Sequence, residues 1–134
     1  MVTSKFKHWP ELLSKHFEHW TEQEVFSVIA DNGTGGILIY GAGVEDWQHI
    51  DFTHVEVNLT VNGQVIRVGV AEKMLGDPME HLVWLANVRS RDGEGLKQGH
   101  IHNTGTVTDI IRVNAGDESI ATFSEIGSVV LTIK

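Results

Sequence analysis

The sequence predicts an α+β domain in which antiparallel strands dominate, and three observations carry that expectation. Residues 54–70 alternate polar and apolar side chains on both sides of Asn62-Gly63, a strong short-range hairpin signal. Asp77-Pro78 opens a stretch with helical apolar spacing that runs to about Arg89. From Gly99 onward the chain divides into short β-prone runs separated by glycine-bearing turns. With 134 residues, 41% of them hydrophobic, the chain suits one globular domain spanning 1–134.

The elements follow in order. Trp9 to Asp31 predicts helix with one interruption, because Leu12, Leu13, His16, Phe17 and Trp20 fall on one helical face. A strand competes for Leu12–Phe17, where the pattern is short. Thr21-Glu22-Gln23-Glu24 has the form of a fresh helix N-terminus, with Val25, Val28 and Ile29 turned inward and a stop at Asn32-Gly33. Ile37-Leu38-Ile39-Tyr40 is expected as a buried strand, followed by the 54–70 hairpin. In the Asp77–Arg89 helix, Met79, Leu82, Val83, Leu85 and Ala86 form the apolar face. The remaining strands are expected at Asp109–Val113, Ser119–Phe123 and Ser128–Ile133.

Charge and composition narrow the function. Eighteen acidic residues against ten basic ones leave a net charge of −8, with no basic cluster to attract a phosphate backbone, so nucleic acid is not expected as a partner. No cysteine is present, which removes disulfides, thiolate metal sites and cysteine nucleophiles. No apolar run approaches the ~20 residues that span a bilayer, and the polar start does not resemble a signal peptide, so the expectation is a cytoplasmic protein with no membrane partner.

The candidate chemistry is sparse. His100 and His102 stand two apart in an expected strand, where both rings would share a face as in many imidazole metal sites; a pair of polar residues at a strand end is the plainer reading. Glu22 and Glu24 on a helix diverge too far to chelate and are better placed as first-turn glutamates favoured by the helix dipole. No serine sits in a nucleophile elbow and no glycine loop carries a phosphate-binding Lys-Ser/Thr. Thr104-Gly105-Thr106 is different: two hydroxyls and backbone N–H groups around a glycine can approach a carboxylate closely.

Several blocks together resemble the C-terminal half of the fumarylacetoacetate hydrolase superfamily, closest to its 2-hydroxypenta-2,4-dienoate hydratase and 4-oxalocrotonate decarboxylase group. Val28-Ile29-Ala30-Asp31-Asn32 is similar to the family's "VADNAS" block, and Val61-Asn62-Gly63-Gln64-Val65 with Gly69 to its hairpin. Leu75-Gly76-Asp77-Pro78 leading to Val83-Trp84-Leu85-Ala86-Asn87 resembles "LGHP…WLAN", the most specific block. Gly95-Leu96-Lys97-Gln98-Gly99 through Asn103-Thr104-Gly105-Thr106-Val107-Thr108 resembles "GLKAGDVVLTGSLT". Ala115-Gly116-Asp117 to Ile126-Gly127-Ser128-Val129 resembles "PGD…LGSV". The likeness extends from about Glu11 to Ile133.

The resemblance implies a mostly antiparallel twisted β-roll or sandwich with a few helices. It implies that Thr104, Gly105 and Thr106 approach the 2-oxo acid end of a substrate, and that Glu11, nine residues before Trp20, is the counterpart of one metal-binding glutamate. The family's E-x-E metal pair and its acid/base lysine lie in the half that this sequence does not include. Asp-Ser-Arg of the family is Ser14-Lys15-His16 here, and Asp-Val-Val-Leu is His100-Ile101-His102-Asn103. The expectation is therefore a truncated, non-catalytic relative of 2-oxo-acid hydratases and decarboxylases that binds a small organic acid, with at most weak Mg²⁺ or Mn²⁺. The alternative is a minimal metal-dependent lyase, a hydratase or decarboxylase of small unsaturated 2-oxo acids, with Glu11, His100 and His102 as metal donors. A homo-oligomer, most simply a dimer, is expected to cover apolar strand residues such as Ile37, Ile39, Val55, Val57, Ile110 and Val129.

Overall fold

Asn62 and Gly63 take positive φ angles of 50° and 79° and fold the chain back on itself, the backbone twist that a two-residue hairpin turn requires. The computed structural model describes residues 11–13, 22–74 and 76–134. Strands β3 (Glu56–Val61) and β4 (Gln64–Val70) form the antiparallel hairpin, with a register shift between Leu59 and Thr60. Farther along, β5 (Glu118–Phe123) pairs with β3, and β6 (Gly127–Thr132) pairs with β5. The sheet order is β4-β3-β5-β6. Asn62 also ties the turn to β5: its side-chain amide donates to Asp117 Oδ1 at 2.8 Å and its Oδ1 accepts from the Glu118 N–H at 3.0 Å.

Only one face of this sheet is covered. Val57, Ala121 and Val129 fall on the inner face and are buried, together with Ile50, Phe52, Val55 and Ile126. Trp47, Met79, Val107 and Phe123 pack around them. Asp51 aims Phe52 inward by capping the 3₁₀ turn Phe52–His54, its carboxylate accepting from the Thr53 N–H. Each buried aliphatic or aromatic side chain of this set contributes about 1.5–3 kcal/mol. The opposite face keeps Val65, Val68 and Val130 exposed.

Helix α3 (Pro78–Arg91) begins as its sequence predicts, with Pro78 in the first turn and the Asp77 carboxylate accepting from the Met79 N–H at 2.8 Å. It runs two residues past the expected end. Arg89 and Arg91 then complement the helix dipole. A four-residue helix, α2 (Ala71–Met74), joins it to β4.

Other expectations are corrected. Leu12 and Leu13 lie in a strand, β1 (Glu11–Leu13), which pairs antiparallel with β2 (Gly35–Leu38) rather than forming a helix. The competing strand reading holds there, because β2 supplies the backbone partners that a short apolar pattern cannot specify. Trp9, His16, Phe17, Trp20 and Thr21 lie outside the described residues, as does Leu75. Glu22 and Glu24 precede α1 (Val25–Ala30) instead of filling its first turn. Helix α1 buries none of its residues, so Val25 and Ile29 do not point into a core. Ile37 and Tyr40 are exposed, not part of a buried strand. Asp109–Val113 is irregular and pairs with no strand among the described residues. Val83 of α3 faces solvent, whereas Leu82, Leu85 and Ala86 are half-buried. Val55, Val57 and Val129 are covered by their own chain and supply no reason to dimerise.

Two exposed carboxylates make the fold sensitive to acid. Asp117 is held below the ordinary aspartate value of 3.8, first by the Asn114 N–H and then by the Asn62 amide. Asp51 is lowered chiefly by the Thr53 hydroxyl, then by His54. A carboxyl lowered on folding stabilises fully above its unfolded value and loses that effect as pH falls through the folded one. Denaturant midpoints should therefore drop as pH falls below about 4, and Asp117→Ala should flatten that decline. An unchanged acid slope in the variant would remove the Asn62–Asp117–Asn114 link as its cause.

Candidate functional site

Residues 97–108 are irregular chain whose end, Val107-Thr108, passes over the hairpin at Gly69. Val107 passes so close to β4 that a Cβ on Gly69 would overlap the Val107 carbonyl oxygen, and Thr108 would also be in contact. Only glycine tolerates that approach. Upstream, the backbone turns at Gly99 (φ 87°) and Gly105 (φ 127°). His100 and His102 are thus not in a strand, yet their rings still meet edge to face, with centroids 5.8 Å apart.

Asn103 organises the loop. Its Oδ1 accepts from the Gly105 N–H at 2.9 Å, an Asx-type turn, and its Nδ2 donates to Glu11 Oε2 at 3.4 Å. The Thr106 hydroxyl donates to the Thr108 carbonyl at 3.0 Å. In this conformation the Gly105 N–H and the Thr106 hydroxyl already serve the chain itself. Glu11 reaches the loop within one chain, its other oxygen lying 3.4 Å from where a Cβ on Gly35 would stand. No second copy is needed to bring the two together.

Helix α3 closes the other side. His81, Trp84 and Leu85 follow i, i+3, i+4 spacing and share a helix face. With Leu82 they face His102, Asn103 and Thr104 across a cleft of about 180 Å³. A more open hollow over Glu80, His81 and Trp84 adjoins it. His102 lines the cleft, and its Nε2 is buried without a hydrogen-bond partner. A buried polar atom left so costs about 1–3 kcal/mol. The arrangement can hydrogen-bond an oxygen of a small ligand through an imidazole while the Trp84 indole and two leucines pack its hydrocarbon part.

His81 and Trp84 were not singled out as site residues by the sequence. Their helical spacing was readable, but nothing in it indicated that the 102–104 segment would lie opposite. For a metal, the described residues do not fit. Among them no three His, Asp or Glu side chains converge into a set that could hold an ion. Glu11 is directed at Asn103, and His100 and His102 form a pair with no third donor.

No protein-family model matches the chain. A 4-oxalocrotonate decarboxylase of Pseudomonas putida is 28% identical over 119 residues, 89% of this chain and 45% of the relative. The 2-keto-4-pentenoate hydratase 1 of Dechloromonas aromatica (strain RCB) is 26% identical with the same coverage. The chain spans about half the length of the curated relatives it matches. Among solved structures, 4-oxalocrotonate decarboxylase from Pseudomonas putida G7, complexed with magnesium and adipate, superposes with a TM-score of 0.81 at 27% identity. That match covers 92% of this chain and 47% of the other. The same enzyme complexed with calcium and acetate gives a TM-score of 0.79 at 26% identity.

The donor set leads to an expected outcome. Calorimetric titration with Mg²⁺ or Mn²⁺ should give a Kd at or above about 1 mM, because a lone carboxylate leaves the cation most of its waters. Micromolar binding that Glu11→Gln abolishes would contradict this reading of the described residues.

Proposed function

For a chain whose homologues are the 4-oxalocrotonate decarboxylases and 2-keto-4-pentenoate hydratases of the fumarylacetoacetate hydrolase superfamily, we propose a non-catalytic role: binding a small organic acid in the cleft between α3 and the 102–106 loop. The unpartnered Nε2 of His102 carries this reading. A carboxylate delivered from the cleft would accept a hydrogen bond there, relieving the cost of the buried nitrogen. Thr104 lies beside it, and the Asn103 Oδ1 occupies the place at the Gly105 N–H that a second ligand oxygen can take.

The size of the cleft suits a short acid rather than a nucleotide or a sugar chain. Adipate and acetate in the two decarboxylase crystal structures support the same ligand class. The absence of a converging metal-donor set among the described residues favours binding over enolate chemistry, which in a metal-dependent lyase needs an electrophile at the 2-oxo group.

Calorimetry or NMR titration with adipate tests the reading. A ligand of roughly ten heavy atoms at ~0.4 kcal/mol per atom gives ~4 kcal/mol, a Kd of about 1 mM. His102→Leu should weaken binding about tenfold or more, the value of one hydrogen bond to a charged group. Binding indifferent to His102→Leu would move the ligand elsewhere. In parallel, 2-hydroxypenta-2,4-dienoate incubated with the protein and Mg²⁺ should keep its chromophore at the buffer rate. Faster loss would replace the binding role with a hydratase activity.

A further inference from the structure

Among the described residues the four-stranded sheet ends in two edges of different character. On β4 the edge carries a register irregularity and Arg67, devices that discourage strand addition. The β6 edge has neither. Its register with β5 is unbroken from Glu118↔Thr132 to Phe123↔Gly127. Residues 127–133, Gly-Ser-Val-Val-Leu-Thr-Ile, contain no charge and no proline. In a chain of net charge −8, this is a border where a second copy can approach without opposed charges.

The hydrogen bonds reveal which groups the edge presents. The Ile133 N–H donates to the Asp117 carbonyl and its own carbonyl accepts from the Gly116 N–H, both at 2.9 Å. Because backbone groups alternate sides along an antiparallel strand, Ser128, Val130 and Thr132 turn their N–H and C=O groups away from β5. Val130 sits midway among them, 57% exposed.

The sequence around Val130 is complementary to itself. Running a second β6 antiparallel with Val130 opposite Val130 sets Ser128 against Thr132 and Val129 against Leu131. Hydroxyl meets hydroxyl on the outer face, and aliphatic meets aliphatic on the inner one. The outer-face row Val65–Thr60–Ile120–Val130, defined by the existing ladder, would continue directly into its symmetry copy. A two-fold axis generates such an isologous contact.

We propose that the outer edge of β6 is the interface through which two copies of this chain pair, antiparallel about Val130, joining two four-stranded sheets into one of eight strands. The pairing is independent of the cleft, which lies with α3 and the 102–106 loop.

Light scattering behind a sizing column tests it from about 1 to 100 μM, the range in which mass action exposes a moderate dimer. The wild-type chain should move towards twice 14.9 kDa as concentration rises. Val130→Lys and Val130→Glu should each stay at 14.9 kDa, with far-UV circular dichroism like the wild type, because like charges would oppose each other at the axis. Mixed at equal concentration, the two variants should recover the doubled mass, since Lys then faces Glu. Val68→Lys, on the same outer face but on the far edge strand, should remain dimeric. A wild-type mass of 14.9 kDa throughout, a dimer that survives both Val130 charges, or a mixture that stays monomeric would each overturn the proposal. If either Val130 variant fails to fold, the other, read beside Val68→Lys, still decides it.

Discussion

The close approach of the Val107 carbonyl to Gly69 is the constraint on which the placement of the 97–108 loop depends. The hairpin is a local structure that its own turn specifies. The 97–108 segment has no ladder to hold it. Its position depends on an inner-face gap at Gly69, bordered by buried Val57 and filled by chain rather than by a side chain. Once Val107 is seated there, Asn103 is carried to Glu11 and His102 to the face of α3. One missing Cβ thereby connects the sheet, the loop and the cleft.

The loop built on that constraint turns most of its polar groups inward. Its polar groups are largely spent on the chain itself: Asn103 joins Glu11 to the Gly105 N–H, and Thr106 closes onto Thr108. What is left over is an imidazole nitrogen, an indole and two leucines around a small space. His102 stands where the resembling family carries an aliphatic residue, and it lines the cleft.

The parts of the fold legible in the sequence are those with a local chemical cause. Asn62-Gly63 dictates its turn, and Asp77-Pro78 starts α3 through a side-chain cap and a fixed φ. The mistaken expectations concern partners that periodicity cannot reveal. Val25, Val28 and Ile29 repeat as an inward helix face would, yet α1 buries none of its residues; Asp109–Val113 has strand composition but pairs with no strand among the described residues. At the site, Thr104, Gly105, Thr106 and His102 were visible as candidates. Asn103 at two residues before Gly105 was a readable Asx-turn signal that would have assigned the Gly105 N–H correctly. His81 and Trp84 became site residues only through the tertiary placement of the loop.

The most direct measurement is a comparison of ¹H–¹⁵N correlation spectra of the wild-type chain and Gly69→Ala. An added methyl in the space of a backbone carbonyl costs about 1–3 kcal/mol and forces the neighbour to move. The account predicts that resonances of 102–108 and the Trp84 indole shift or vanish, far from the substituted strand in sequence, as the loop leaves the face of α3. Changes confined to the 56–70 hairpin, with the loop and Trp84 unmoved, would contradict it.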